Sequence, residues 1–130
     1  MRKMALLAAL GLIALPSVAL AGVSHYSGTT SQNTLRITLH VSGKKLTFFS
    51  YIAIFHCSAS TRPLKQKTTI SPNLKIKHGG FRATVKVAPQ DKATISGTFT
   101  GHQVSGSFSE TYQSGGQSCT SGTVTYKATK

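Results

Sequence analysis

Acid is what this chain has least of. Aspartate and glutamate number two together, Asp91 and Glu110, against fifteen lysines and arginines, for a formal net charge of +13. Glycoside hydrolysis commonly uses two carboxyl groups, so a hydrolase of that kind would have to recruit both acids the chain owns. No serine stands in a Gly-x-Ser-x-Gly elbow. A serine–histidine pair assembled by folding stays open, because such sites are defined by geometry. The five histidines, His25, His40, His56, His78 and His102, have no spacing that suits a zinc site. His56 adjoins Cys57, but neighbours on a strand point to opposite faces. No metal and no cofactor are expected. The reading is therefore a non-enzymatic protein, with a hydrolase the remote alternative.

Helical periodicity is also missing beyond Ala21. No apolar recurrence at three-to-four spacing is sustained. Cysteine is nearly absent, with Cys57 and Cys119 the only two. Long apolar runs are confined to the start of the chain. Arg2 and Lys3 precede an apolar stretch from Met4 to Leu15, Pro16 and Ser17 interrupt it, and Ala19-Leu20-Ala21 places small residues where a signal peptidase cuts. Residues 1–21 are thus expected to be a cleaved signal peptide, and residues 22–130 one secreted domain. An uncleaved anchor is the competing reading, since Met4 to Val23 has about the ~20 residues a spanning helix needs. No cysteine follows the cleavage position, which disfavours a lipid anchor. The location expected is extracellular, or periplasmic where an outer membrane exists. In an oxidising compartment, an even pair of cysteines reads as one disulfide. It would close a loop of roughly 60 residues and contribute about 4 kcal/mol.

What the mature region does have is alternation. Leu35, Ile37, Leu39 and Val41 share a face opposite Arg36, Thr38 and His40, and Phe81, Ala83, Val85 and Val87 oppose Arg82, Thr84 and Lys86. Such alternation marks half-buried antiparallel strands. A two-residue turn at Gly101-His102 sets Phe99 against Val104, Gly97 against Gly106 and Ile95 against Phe108, all on one face. The facing glycines leave a notch that a ring from the opposite layer could fill. A hairpin at Gly43-Lys44 matches Val41 with Leu46 and Leu39 with Phe48, with a bulge at Phe48-Phe49 or a doubly covered strand explaining the apolar run to Phe55. A hairpin at His78-Gly79 matches Ile76 with Phe81 and Leu74 with Ala83, and sets Lys75 against Arg82. Ser58 to Lys67 reads as an exposed loop and Cys119 to Ala128 as the last strand. The fold class expected is all-β: a small antiparallel sandwich or barrel of seven or eight strands without a helix.

The basic residues gather. Arg62, Lys65, Lys67, Lys75, Lys77, Arg82 and Lys86 lie within 25 positions with no acid among them. Like charges directly opposite each other destabilise a sheet, so this run is read as a site for an anion. Lysines that merely protect sheet edges are the plainer explanation. Partners of suitable chemistry are an anionic cell-envelope polymer or an acidic lipid. Sheet readers of nucleic acid set aromatic rings beside cations, whereas most aromatics here fall on predicted core faces, so no specific nucleic acid is expected. The alternative is a protein-directed module, such as an inhibitor of an extracellular enzyme, presenting the 58–67 segment with Arg62 or Lys65 entering an acidic pocket. A monomer is expected.

In order along the chain stand Tyr26-Ser27-Gly28-Thr29-Thr30-Ser31-Gln32, Phe55-His56-Cys57, Gly80-Phe81, then Ile95 to Gly101 with Val104 to Phe108, and Cys119 followed by Ser121 to Tyr126. In these markers and their order the chain resembles the small secreted single-disulfide β-proteins of actinobacteria. The resemblance implies a secreted β-fold and carries no catalytic residue.

Overall fold

The computed structural model describes residues 22–130, so the expected signal peptide lies outside the described residues. Ten strands and no helix make up the described chain: β1 (Val23–Thr30), β2 (Arg36–Ser42), β3 (Lys45–Cys57), β4 (Leu64–Ile70), β5 (Leu74–Lys75), β6 (Gly80–Ala88), β7 (Asp91–Thr100), β8 (Gln103–Ser114), β9 (Gln117–Thr120) and β10 (Val124–Thr129). The fold is all-β and every pairing is antiparallel. The count exceeds the seven or eight expected because β5 and β9 are fragments of two and four residues. Among the described residues no helix is long and apolar enough to cross a membrane.

The strands form one sheet in the order β10-β1-β2-β3-β9-β8-β7-β6, with β4 and β5 along the other edge of β3 and β10 also paired to β8. The sheet folds over so that β3 faces β6, β8 and β10 in a sandwich-like arrangement. Phe49 of β3 sits at the centre, meeting Phe81, Phe108 and Tyr126 edge-on at centroid separations of 5.8–6.2 Å. Tyr51 stacks on Phe108 at 3.8 Å. Offset and edge-on packing of this kind suits the ring quadrupole. The alternating residues Ile37, Leu39, Ile95, Val104 and Val124 complete the core and are buried.

The 94–109 hairpin has the register expected of it, with Phe99 opposite Val104, Gly97 opposite Gly106 and Ile95 opposite Phe108. Gly101 takes a positive φ of 62° at the turn, as a first central glycine of this turn type requires. The notch is filled from flanking strands of the same sheet, not from the opposite layer. Phe81 lies directly opposite Gly97, and Tyr126 directly opposite Gly106. A Cβ on Gly97 would stand 2.5 Å from both the Phe81 ring and the Tyr126 hydroxyl. That hydroxyl donates to the Ser96 carbonyl at 2.7 Å.

Four expectations are corrected. The bulge in β3 falls one residue early: Val41 pairs with Leu46 but His40 with Phe48, leaving Thr47 extra, so Leu39 meets Phe49. His78 and Gly79 form a turn, with φ of 54° and 75°, but the hairpin stops at the Lys77–Gly80 bridge. Leu74 and Lys75 pair with Leu46 and Lys45 of β3 instead, while β6 goes to β7. Lys75 therefore faces Lys45, not Arg82. The exposed loop is shorter than 58–67, because Leu64 to Lys67 belong to β4 and cover the edge of β3. The last strand breaks at Ser121–Thr123, with Gly122 at φ 68°, so β9 completes one ladder and β10 another.

Cys57 and Cys119 are directly opposite residues of β3 and β9 and form the chain's disulfide. Between the β2 and β9 ladders on the same edge of β3, Gln32 fills the gap with its side chain. Its amide oxygen accepts from Ile54 N–H at 2.8 Å, and its amide nitrogen donates to the carbonyls of Ile54 and Ser121 at 3.2 Å each.

Candidate functional site

All seven residues of the basic run are exposed, and the fold divides them. Arg62 stands in the 58–63 loop. Lys65 and Lys67 lie on β4, opposite Ile54 and Ile52. Lys86 faces Lys92 across β6–β7. Three come together: Lys75, Lys77 and Arg82 line an open groove of about 510 Å³ where the turn after β5 meets β6 and β7. Lys67 lines a different depression.

The groove forms for local reasons. The Lys77–Gly80 turn folds back on itself through hydrogen bonds of 2.9 and 3.0 Å, which sets Lys77 above Gly80. Arg82 projects outward beside it because Phe81 is committed to the core. Gly80 and Gly97 keep the floor low, since a Cβ on Gly80 would come within 2.9 Å of the Gly97 carbonyl. Like-charged Lys45 and Lys75 face each other at one end. The result is a shallow trough with a backbone floor and cationic walls.

The two acids are elsewhere, and together. Glu110 is buried at 2% exposure. Its Oε1 accepts from the Tyr51 hydroxyl and from the Thr68 hydroxyl, each at 2.7 Å. Its own N–H donates to Ser121 Oγ at 2.8 Å. Asp91, at the start of β7, sits diagonally across the β7–β8 ladder from Glu110, and its Oδ1 is buried without a hydrogen-bond partner. Desolvation first, then the neighbouring Glu110 carboxyl, raise the Asp91 carboxyl to about 7. Burial, followed by the charge of Glu110, pushes the Tyr51 phenol well above its ordinary range. With both acids drawn inward, no exposed aspartate or glutamate lies on the described surface.

Sequence reasoning missed a stack of rings on the outer face. His25 and His40 are directly opposite across β1–β2, with centroids 4.1 Å apart, and His40 stacks on Phe48 of β3 at 4.4 Å. The alternation placed His40 outward, but the β1–β2 register carried no sequence signal, and the bulge that turns Phe48 outward is off by one in the sequence reading. Partial burial, and then the charge of His25, lower the His40 pKa. His56, His78 and His102 are exposed and apart from these. Among the described residues no three metal-ligating side chains converge.

No family model, no curated protein and no solved structure matches this chain.

Proposed function

We propose that the mature protein works outside the cell as a binding module for an anionic polymer of the cell envelope, or for an acidic lipid surface, and that Lys75, Lys77 and Arg82 contact it. The observation that carries this reading is the trough they line, on a surface with no exposed acid. Cations facing one another without a counter-charge cost the fold roughly 0.2–1 kcal/mol per pair, and an anion spanning them would reverse the sign. An open trough suits a chain of repeating charges better than an enclosed small molecule. Replacing Lys75, Lys77 and Arg82 together by Gln should leave the fold intact and abolish salt-sensitive retention on wall polyanion or acidic vesicles. Undiminished retention of the triple variant would remove the groove from the reading.

A second reading rests on the 58–63 loop. It is exposed throughout and anchored at its start, where Cys57 carries the disulfide, Ser58 and Ser118 exchange hydrogen bonds and Ala59 N–H donates to Gln117 Oε1; its other end runs into β4, where Leu64 pairs with Phe55. A loop tied down in this way loses less entropy on binding, and its exposed Arg62 would fit an acidic pocket of an extracellular enzyme. Inhibition that survives high salt and disappears with Arg62→Gln would favour this reading, because screened surface charge cannot produce it.

A further inference from the structure

We infer that the outer face of β2, β3 and β4 carries a second binding site, built for a sugar ring bearing a negative group, as in an acidic polysaccharide. Its position is a depression of about 270 Å³ whose lining includes Arg36, His40, Phe48, Ser50, Ile52 and Lys67. That volume lies just below the range typical of drug-sized ligands and fits a single ring.

Three walls of different chemistry meet there. At one end His40 and Phe48 are stacked on each other with 19° between their planes and bound the depression as an apolar wall, against which the C–H groups of a sugar can pack. At the other end Arg36 and Lys67 flank Ile52 on neighbouring strands: Ile52 is directly opposite Lys67, and Arg36 lies one residue before the Ile37–Tyr51 pair. The floor between them is hydroxylated. Thr38 lies opposite Ser50, and Ser50 Oγ sits 2.9 Å from Thr69 Oγ1. Such hydroxyls exchange hydrogen bonds with sugar hydroxyls as readily as with water.

The charge of the site comes from Arg36 and Lys67 alone. His40 is held toward its neutral form, and both acids of the mature region face inward. A guanidinium beside an ammonium with no opposing carboxylate fits a carboxylate or sulfate, with Arg36 able to bind two oxygens at once. A bare polyanion would use the cations but not the rings. A neutral glycan would use the rings but not the cations. Only an acidic sugar uses all three walls.

The site is separate from the β5–β7 groove, sharing no lining residue with it, and stands or falls independently. The test is a two-dimensional NMR titration of the full mature chain with short oligogalacturonate, its neutral methyl ester, and polyphosphate. Oligogalacturonate should shift amides of residues 36–40, 48–52 and 67. Its methyl ester should bind about tenfold or more weakly, since a hydrogen bond to a charged group is worth about 1.5–3 kcal/mol. Arg36→Gln and Lys67→Gln, both at exposed positions, should each lose about tenfold, and Phe48→Leu should weaken oligogalacturonate while leaving polyphosphate unchanged. Equal binding of acid and ester, equal shifts at these residues from polyphosphate, shifts confined to residues 74–82, or no shifts at all would each overturn the inference. Loss of polyphosphate binding in the Lys75, Lys77 and Arg82 variant, with these shifts intact, would concern the groove only.

Discussion

At the scale of single residues, the decisive pair is Asp91 and Glu110. A chain this rich in cation has placed its two acids diagonally across one ladder, with Tyr51 and Thr68 donating to Glu110. Asp91 keeps its proton to about pH 7 when folded, whereas an unperturbed aspartate loses it near pH 4. The folded state therefore binds more protons than the unfolded state between those limits. The stability this group contributes is fully present below about pH 4 and is lost as pH rises through about 7. Asp91→Asn should flatten that slope and leave the variant more stable than the parent at pH 8, measured by urea unfolding across the pH range. His40 works in the opposite sense: its lowered pKa removes stability as pH falls below its ordinary value of about 6.5. The two contributions overlap between pH 4 and 6.5, and the Asp91→Asn difference isolates the first. A parent curve that coincides with the variant's at every pH would mean that the burial of the Asp91 carboxyl beside Glu110 does not persist in solution.

At the scale of elements, Gln32 joins ladders that the backbone alone leaves apart. Its amide stands in for a strand residue between β2 and β9, satisfying both backbone groups of Ile54 and the Ser121 carbonyl. Gln32→Ala strands those groups, and a buried polar group left without a partner costs about 1–3 kcal/mol. The expected result is faster hydrogen exchange at the Ile54 amide with little change in the 94–109 hairpin. Gln32→Glu should be worse than Ala, because it still accepts from Ile54 N–H but sets a carboxylate oxygen against two carbonyls. An unchanged Ile54 exchange rate in both variants would show that the side-chain bridge carries no stability. No sequence pattern announces such a bridge. What was legible was local: the Gly101-His102 turn fixes its strand partners by counting outward, and alternation separates apolar from hydroxylated faces, so a slip of one residue is excluded. The His78-Gly79 turn was legible for the same reason, but its strands were not. Leu74 and Lys75 meet Leu46 and Lys45, about thirty residues away in the chain, and local patterning does not weigh that competitor. The bulge was legible as a need but not as a place, because Phe48 and Phe49 are both apolar and Thr47 gives no sign of being the extra residue. The basic run was visible as a run, yet whether it makes one site depended on this long-range pairing, which leaves Lys75, Lys77 and Arg82 together and sends Lys67 to another face. The ring stack needed both the β1–β2 register and the bulge, so His40 could be placed outward and no further.

At the scale of the whole molecule, the cationic domain described over residues 22–130 holds together against its own charge. The core is continuous from Tyr26 to Ala128, but its two faces meet at one end through β9, which contributes only two residue pairs to β3. The Cys57–Cys119 disulfide crosses that short ladder and closes a sequence separation of 62 residues. A cross-link spanning such a loop removes unfolded-state freedom worth about 4 kcal/mol, a large share of the 5–15 kcal/mol by which domains are stable. The Cys57→Ser, Cys119→Ser double variant should remain folded, because the aromatic centre around Phe49 and Phe108 does not depend on the sulfurs, and should lose about 4 kcal/mol in urea unfolding. The 58–63 loop and β9 should lose exchange protection first, ahead of the 94–109 hairpin. Added salt should recover part of the loss by screening lysine and arginine repulsion. A loss under about 1 kcal/mol would place the clamp's contribution below the loop-entropy value and shift the weight of the fold onto the Gln32 bridge and the core.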